Sequence, residues 1–91
     1  MTTALIFTAD WCAVCKQQKS IYRQLEELCS VEYIDIGTDH GRRIADEYRI
    51  MSVPAVIIGH STFDEGFEPL EYFIGAQRLT RYKKAIRELQ K

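Results

Sequence analysis

The sequence predicts an α/β fold of order βαβαββα, with four strands and three helices. Three observations predict it. The chain has 91 residues, enough for one hydrophobic core and too few for two. Short apolar runs alternate with segments of helical period along its length. No internal repeat, low-complexity tract or linker interrupts them, so residues 1–91 are expected to form a single domain.

The elements follow in order. Ala4-Leu5-Ile6-Phe7 begins a strand over 4–8, and a helix over 12–28 carries Ile21, Leu25 and Leu28 on one face. Val31, Tyr33, Ile34 and Ile36 favour an extended strand over 31–36, which the Gly37-Thr38-Asp39 cluster ends. Two strands joined through a helix lie parallel with a right-handed crossover, so residues 4–36 form a strand-helix-strand unit in a sheet apolar on both faces. A helix over 40–48 and strands over 54–58 and 70–74 come next. Pro54 suits the first position of its strand, where a missing N–H need not weaken the ladder. In the final helix, 79–90, Leu79, Tyr82, Ile86 and Leu89 recur at helical spacing and cover the sheet. Arg81, Lys83, Lys84 and Arg87 form its solvated side rather than a nucleic-acid stripe.

Composition narrows the function. Hydrophobic residues at 46% and a net charge of -1 describe a soluble globular protein, neither a disordered tail nor a polybasic nucleic-acid binder. No membrane or nucleic-acid partner is expected. The N-terminus lacks a basic region followed by a long apolar stretch, so a secretory leader is not expected and the chain reads as cytoplasmic. Three cysteines in a reducing compartment are no stapling framework and point to catalytic use of the close pair. Cys12-Ala13-Val14-Cys15 sets two thiols three residues apart at a strand-to-helix junction, where they can close a reversible disulfide one helical turn long. Cys12 falls at the helix N-terminus, where free N–H groups and the macrodipole favour a thiolate, which makes it the nucleophile. Cys29 is left over and reads as a small buried hydrophobe. His40 and His60 show no ligand spacing, so no metal is expected.

Phe7, Ala9, Trp11, Cys12, Cys15 and Lys16 together resemble the thioredoxin signature. The resemblance continues through Tyr48-Arg49-Ile50, Val53-Pro54 before an apolar strand, and Gly75-Ala76 after a later one. It covers nearly the whole chain. It implies a thioredoxin-like fold with a four-stranded mixed sheet flanked by three helices, and a dithiol-disulfide oxidoreductase that reduces protein disulfides. Cys12 would attack the substrate disulfide and Cys15 would resolve the mixed disulfide. The Val53-Pro54 bond would be cis and face the dithiol, offering the Val53 backbone to an extended substrate strand. Trp11 would shape the approach, and Gly75 would let the substrate backbone come close. Beyond a redox-active Cys12–Cys15 disulfide no bound cofactor is implied; the expected partners are disulfide-containing proteins and a thioredoxin reductase, with the chain a monomer.

Several residues depart from the family pattern. The first strand begins close to Met1, so the extra N-terminal strand and helix of thioredoxins are not expected and the core is glutaredoxin-sized. Ile6 stands where thioredoxins carry a buried acid that helps take the proton from the resolving cysteine. Water or another group must then serve; Asp10 is the nearest acid but should lie in solvent, as should Lys16. Ala13-Val14 is neither the Gly-Pro of thioredoxin nor the Pro-Tyr common in glutaredoxins, which leaves the direction of electron transfer open. Residues 59–69 read as a long loop at the far end of the sheet, with Phe63 and Phe67 packed on the core. Two alternatives stand beside the reductase. A glutaredoxin-like enzyme using glutathione suits the short core but not Trp11 or Gly75-Ala76, and a non-catalytic binding or assembly subunit would have no need of both cysteines and Pro54.

Overall fold

In the computed structural model, which describes residues 1–62 and 66–90, the run around Ile6 becomes the inner strand β1 (Thr2–Thr8). The elements after it are α1 (Ala13–Gln17), α2 (Lys19–Leu25), β2 (Ser30–Asp35), α3 (Asp39–Glu47), β3 (Ala55–Thr62), β4 (Gly66–Ile74) and α4 (Leu79–Leu89). β1 pairs parallel with β2 and antiparallel with β3, and β3 pairs antiparallel with β4. The result is a four-stranded mixed sheet of order β2-β1-β3-β4.

The two-residue period of β1 and β3 divides their side chains between the faces. Ala4, Ile6, Val56 and Ile58 pack with Phe73 against Tyr22 and Leu25 of α2 and Tyr82 and Ile86 of α4. Leu5, Phe7, Ala55 and Ile57 pack on the other face with Ile34, Ala45 of α3 and Ile50. Burying each large apolar side chain contributes about 1.5–3 kcal/mol, so these two layers are the main source of stability.

The helix expected over 12–28 is instead two short helices ending at Leu25, which gives four helices rather than three. The break is at Gln18, whose N–H reaches both Val14 O and Cys15 O. The buried stripe runs through Cys15, Gln18, Tyr22 and Leu25, spaced 3-4-3. Of the expected Ile21, Leu25 and Leu28, Leu25 is fully buried, Ile21 is partly buried against the same core, and Leu28 is not part of it. Leu28 is 37% exposed because the chain leaves the helix before reaching it.

The long loop expected over 59–69 is also corrected. β3 continues to Thr62 and β4 starts at Gly66, so most of that segment is paired strand. A bulge hides it in the sequence: Ile58 pairs with Glu71 but Gly59 with Pro69, leaving Leu70 as the extra residue. Glycine is required there because a Cβ on Gly59 would collide with the Glu68 carbonyl oxygen. Pro69 is tolerated on an edge strand beside the bulge. Phe67 packs on the core as expected, its ring edge-on to Tyr48 at 5.9 Å between centroids; Phe63 lies outside the described residues.

α3 starts at the dithiol end of the sheet, where β2 ends, and carries the chain toward Tyr48, which packs on Phe67. Thr38 caps the helix, accepting the Gly41 N–H at 2.9 Å and donating to Asp35 O at 2.8 Å. It ends in a Schellman turn, with Ile50 N–H bonded to Ala45 O at 2.8 Å and Arg49 N–H to Asp46 O at 3.1 Å. Arg49 holds the left-handed conformation, φ 59°, that glycine usually takes there. The turn aims the following residues at Val53-Pro54.

Candidate active site

The site grows from the end of β1. Ala9 O accepts the Cys12 N–H at 3.1 Å, which folds the chain into α1 and makes Cys12 its N-cap. The Cys15 N–H then points back and donates to Cys12 Sγ at 3.0 Å. A hydrogen bond donated to sulfur favours its charged form, so the geometry suits Cys12 rather than Cys15 as the attacking sulfur of the reduced pair. Cys12 and Cys15 form a disulfide with Cα atoms 5.2 Å apart. Both are largely buried, Cys12 at 8% and Cys15 at 6% exposure.

Val53 and Ile36 pack against the small cluster of Ala9, Cys12 and Cys15. The Val53-Pro54 peptide bond is cis. Gly75, with φ 84°, donates its N–H to Pro54 O at 2.8 Å. Open space lies where its Cβ would be, so glycine is needed for the backbone angle and leaves an unobstructed surface. The chain thereby gathers Cys12, Cys15, Val53, Pro54 and Gly75 from three separate segments. Trp11 is 69% exposed beside them, its ring near enough to Gly37 that a Cβ there would sit 3.2 Å from Cζ3.

Lys16 and Asp10 are both exposed. Ile6 is fully buried among apolar neighbours, so no carboxylate occupies its place. A pocket bordered by Thr8, Asp10, Lys16, Lys19 and Tyr33 opens onto Cys15. The Tyr33 hydroxyl donates to Glu26 Oε2 at 2.6 Å, and burial together with that carboxylate pushes it up to about 12. It therefore keeps its proton at neutral pH and cannot take one from a thiol. Deeper in the core, burial pushes the Tyr22 hydroxyl up to about 12. Cys29 is half-buried and remote from the pair; burial raises its thiol, which donates to Leu25 O at 3.7 Å. Among the described residues no His, Cys, Asp or Glu cluster could hold a metal, and no helix is long and apolar enough to cross a membrane.

The thioredoxin family model matches residues 2–88, with the Cys12–Cys15 pair inside the match. The chain belongs to the thioredoxin family. A mutant thioredoxin from Halobacterium salinarum NRC-1 is 26% identical and superposes with a TM-score of 0.81 over 99% of this chain and 75% of that one. A thioredoxin from Thermus thermophilus, 19% identical, has a TM-score of 0.77 over 98% of this chain and 73% of its own. The thioredoxin of Trichomonas vaginalis, 24% identical, gives 0.77 over 96% and 78%. The last two speak for the fold alone. No curated protein sequence matches the chain. Family membership and the CxxC pair support thiol-disulfide oxidoreductase chemistry.

Sequence reasoning missed Gln18, Gln77, Met51 and Ile74. Met51 and Ile74, 92% and 53% exposed, flank the Val53-Pro54 and Gly75 segments with apolar surface. Gln18 carried a readable signal, a polar residue within the apolar spacing Cys15, Tyr22, Leu25. Its partner did not, being 59 residues away.

Proposed function

We propose that the protein reduces disulfides in other proteins. Cys12 thiolate attacks one substrate sulfur and forms a mixed disulfide as the other sulfur leaves as thiolate. Cys15 thiolate then attacks Cys12 Sγ and releases the second substrate thiol, so two electrons pass to the substrate and the Cys12–Cys15 disulfide remains. The observation that carries this reading is the Cys15 N–H on Cys12 Sγ at 3.0 Å, beside a Val53 packed on the pair. An extended substrate segment would pair with the Val53 backbone and cross the open surface at Gly75, with Trp11 on its other side. Pro54 holds Val53 and Gly75 in register through the 2.8 Å bond to its carbonyl. The Cys15 proton passes to water in the adjoining pocket, because Ile6 offers no acceptor and Tyr33 holds its own proton. A thioredoxin reductase in the cytoplasm would return the electrons.

The test is reduction of insulin disulfides by the purified protein, recharged either by NADPH with thioredoxin reductase or by glutathione with glutathione reductase. Selective recharging by the first system is expected, and selective recharging by the second would replace this reading with the glutathione-dependent one. In Cys15→Ser, mixed disulfides with insulin should accumulate and be visible by mass spectrometry. An untrapped Cys15→Ser would remove Cys15 from the resolving role.

A further inference from the structure

Gln18 is a buried amide in a row of otherwise apolar or sulfur-bearing positions, at 8% exposure between Cys15 and Tyr22. Its Oε1 accepts the Gln77 N–H at 3.3 Å, joining the break between α1 and α2 to the turn after β4. That turn makes three further hydrogen bonds, one of them internal. Gly75 N–H bonds to Pro54 O at 2.8 Å, and the Gln77 side chain donates from Nε2 to Ile74 O at 3.2 Å. The Gln77 Oε1 accepts from Arg81 Nη1 at 3.1 Å, which anchors the turn to α4.

Stability does not explain the amide. A neutral hydrogen bond contributes about 1 kcal/mol net, and an apolar side chain of similar shape would gain burial energy at the same position while leaving the part-buried Gln77 N–H unpaired, so the two effects largely offset. What the amide adds is direction: it fixes where the 74–77 turn sits relative to the helix that carries the dithiol. We propose that Gln18 is a positioning residue for macromolecular substrates. Through Gln77 it sets the spacing between Cys12 and the Gly75 surface, so that a substrate strand lying along Val53 brings its disulfide onto Cys12 Sγ. A small disulfide reaches Cys12 without touching the turn and does not need that spacing. This inference rests on the protein-disulfide reading above, in which Val53 and Gly75 face the substrate.

The experiment compares insulin with hydroxyethyl disulfide as substrates for wild type, Gln18→Leu and Gln18→Glu. In Gln18→Leu the insulin KM should rise about fivefold to tenfold with kcat changed less than about twofold, the worth of one neutral hydrogen bond. The ratio of kcat/KM for insulin to that for hydroxyethyl disulfide should fall by the same factor. Gln18→Glu keeps an oxygen acceptor at the same place and should restore most of that ratio. An unchanged ratio in Gln18→Leu, or a parallel loss toward both substrates, overturns the positioning role. If Gln18→Leu does not fold, Gln18→Met makes the same comparison. Failure of wild type itself to reduce insulin would instead overturn the underlying reading.

Discussion

The two ends of the sheet place an aromatic side chain differently. At the dithiol end Trp11 and Ile74 are 69% and 53% exposed, and Met51, three residues before Pro54, is 92% exposed. At the hairpin end Phe67 is folded back over Gly59 and meets Tyr48 edge-on at 5.9 Å. The hairpin end packs an aromatic over its bulge glycine, while Leu70 and Met1, the latter bonded to Ser61, stay 42% and 78% exposed there. The dithiol end leaves its aromatic in solvent. Full burial of a large apolar side chain is worth about 1.5–3 kcal/mol, so an exposed ring forgoes stability that a packed one collects. Exposure of Trp11 beside the cysteines therefore forgoes stability of the kind that Phe67 adds at the hairpin, on top of the two core layers that supply most of it.

Four substitutions can break or sharpen this contrast. The largest effect belongs to Cys12→Ser, which should lower insulin reduction to the rate of dithiothreitol alone while the reduced protein unfolds within about 1 kcal/mol of reduced wild type. Normal turnover in that variant would end the assignment of Cys12. At the other end Gly59→Val sets a Cβ against the Glu68 carbonyl. It should cost about 3 kcal/mol or more in urea unfolding, with insulin reduction per folded molecule unchanged. Phe67→Ala should cost about 2 kcal/mol, because the ring is half-buried and loses its Tyr48 contact. A cost near zero would mean the hairpin does not seal that end. Trp11→Ala should move stability by less than about 0.5 kcal/mol. Its effect should appear as weaker insulin turnover, and a large stability loss would make Trp11 part of the core.

The order of strands and helices and the reactive pair were legible because each rests on neighbours in sequence. Apolar runs marked the strands, helical spacing marked α4, and two cysteines three residues apart marked the dithiol. The grouping of Val53, Pro54 and Gly75 came from resemblance to a family pattern, since no local signal joins residues so far apart. Two errors share a cause. Reading the first helix as continuous carried its buried face on to Leu28 and left out Gln18 and Tyr22, because Gln18 looks like a surface residue and only the Gln77 N–H explains its burial. Reading 59–69 as a loop followed from Gly59 and Pro69, which look like turn residues until the register shift between Ile58 and Gly59 is known. In both places one residue's role was set by a partner that its neighbours in sequence do not reveal.

The separation of the site's segments along the chain also orders events during synthesis. Cys12 and Cys15 leave the ribosome with β1, before Val53-Pro54 and well before Gly75 and Gln77 exist. A nascent chain therefore carries its reactive sulfurs ahead of the backbone surface that would choose their targets. That surface is complete only when β3 and β4 have docked beside β1 and the Gly75 N–H has found Pro54 O. The thiols are thus made first, while the hydrogen bond on Cys12 Sγ and the surface beside it both wait for the fold.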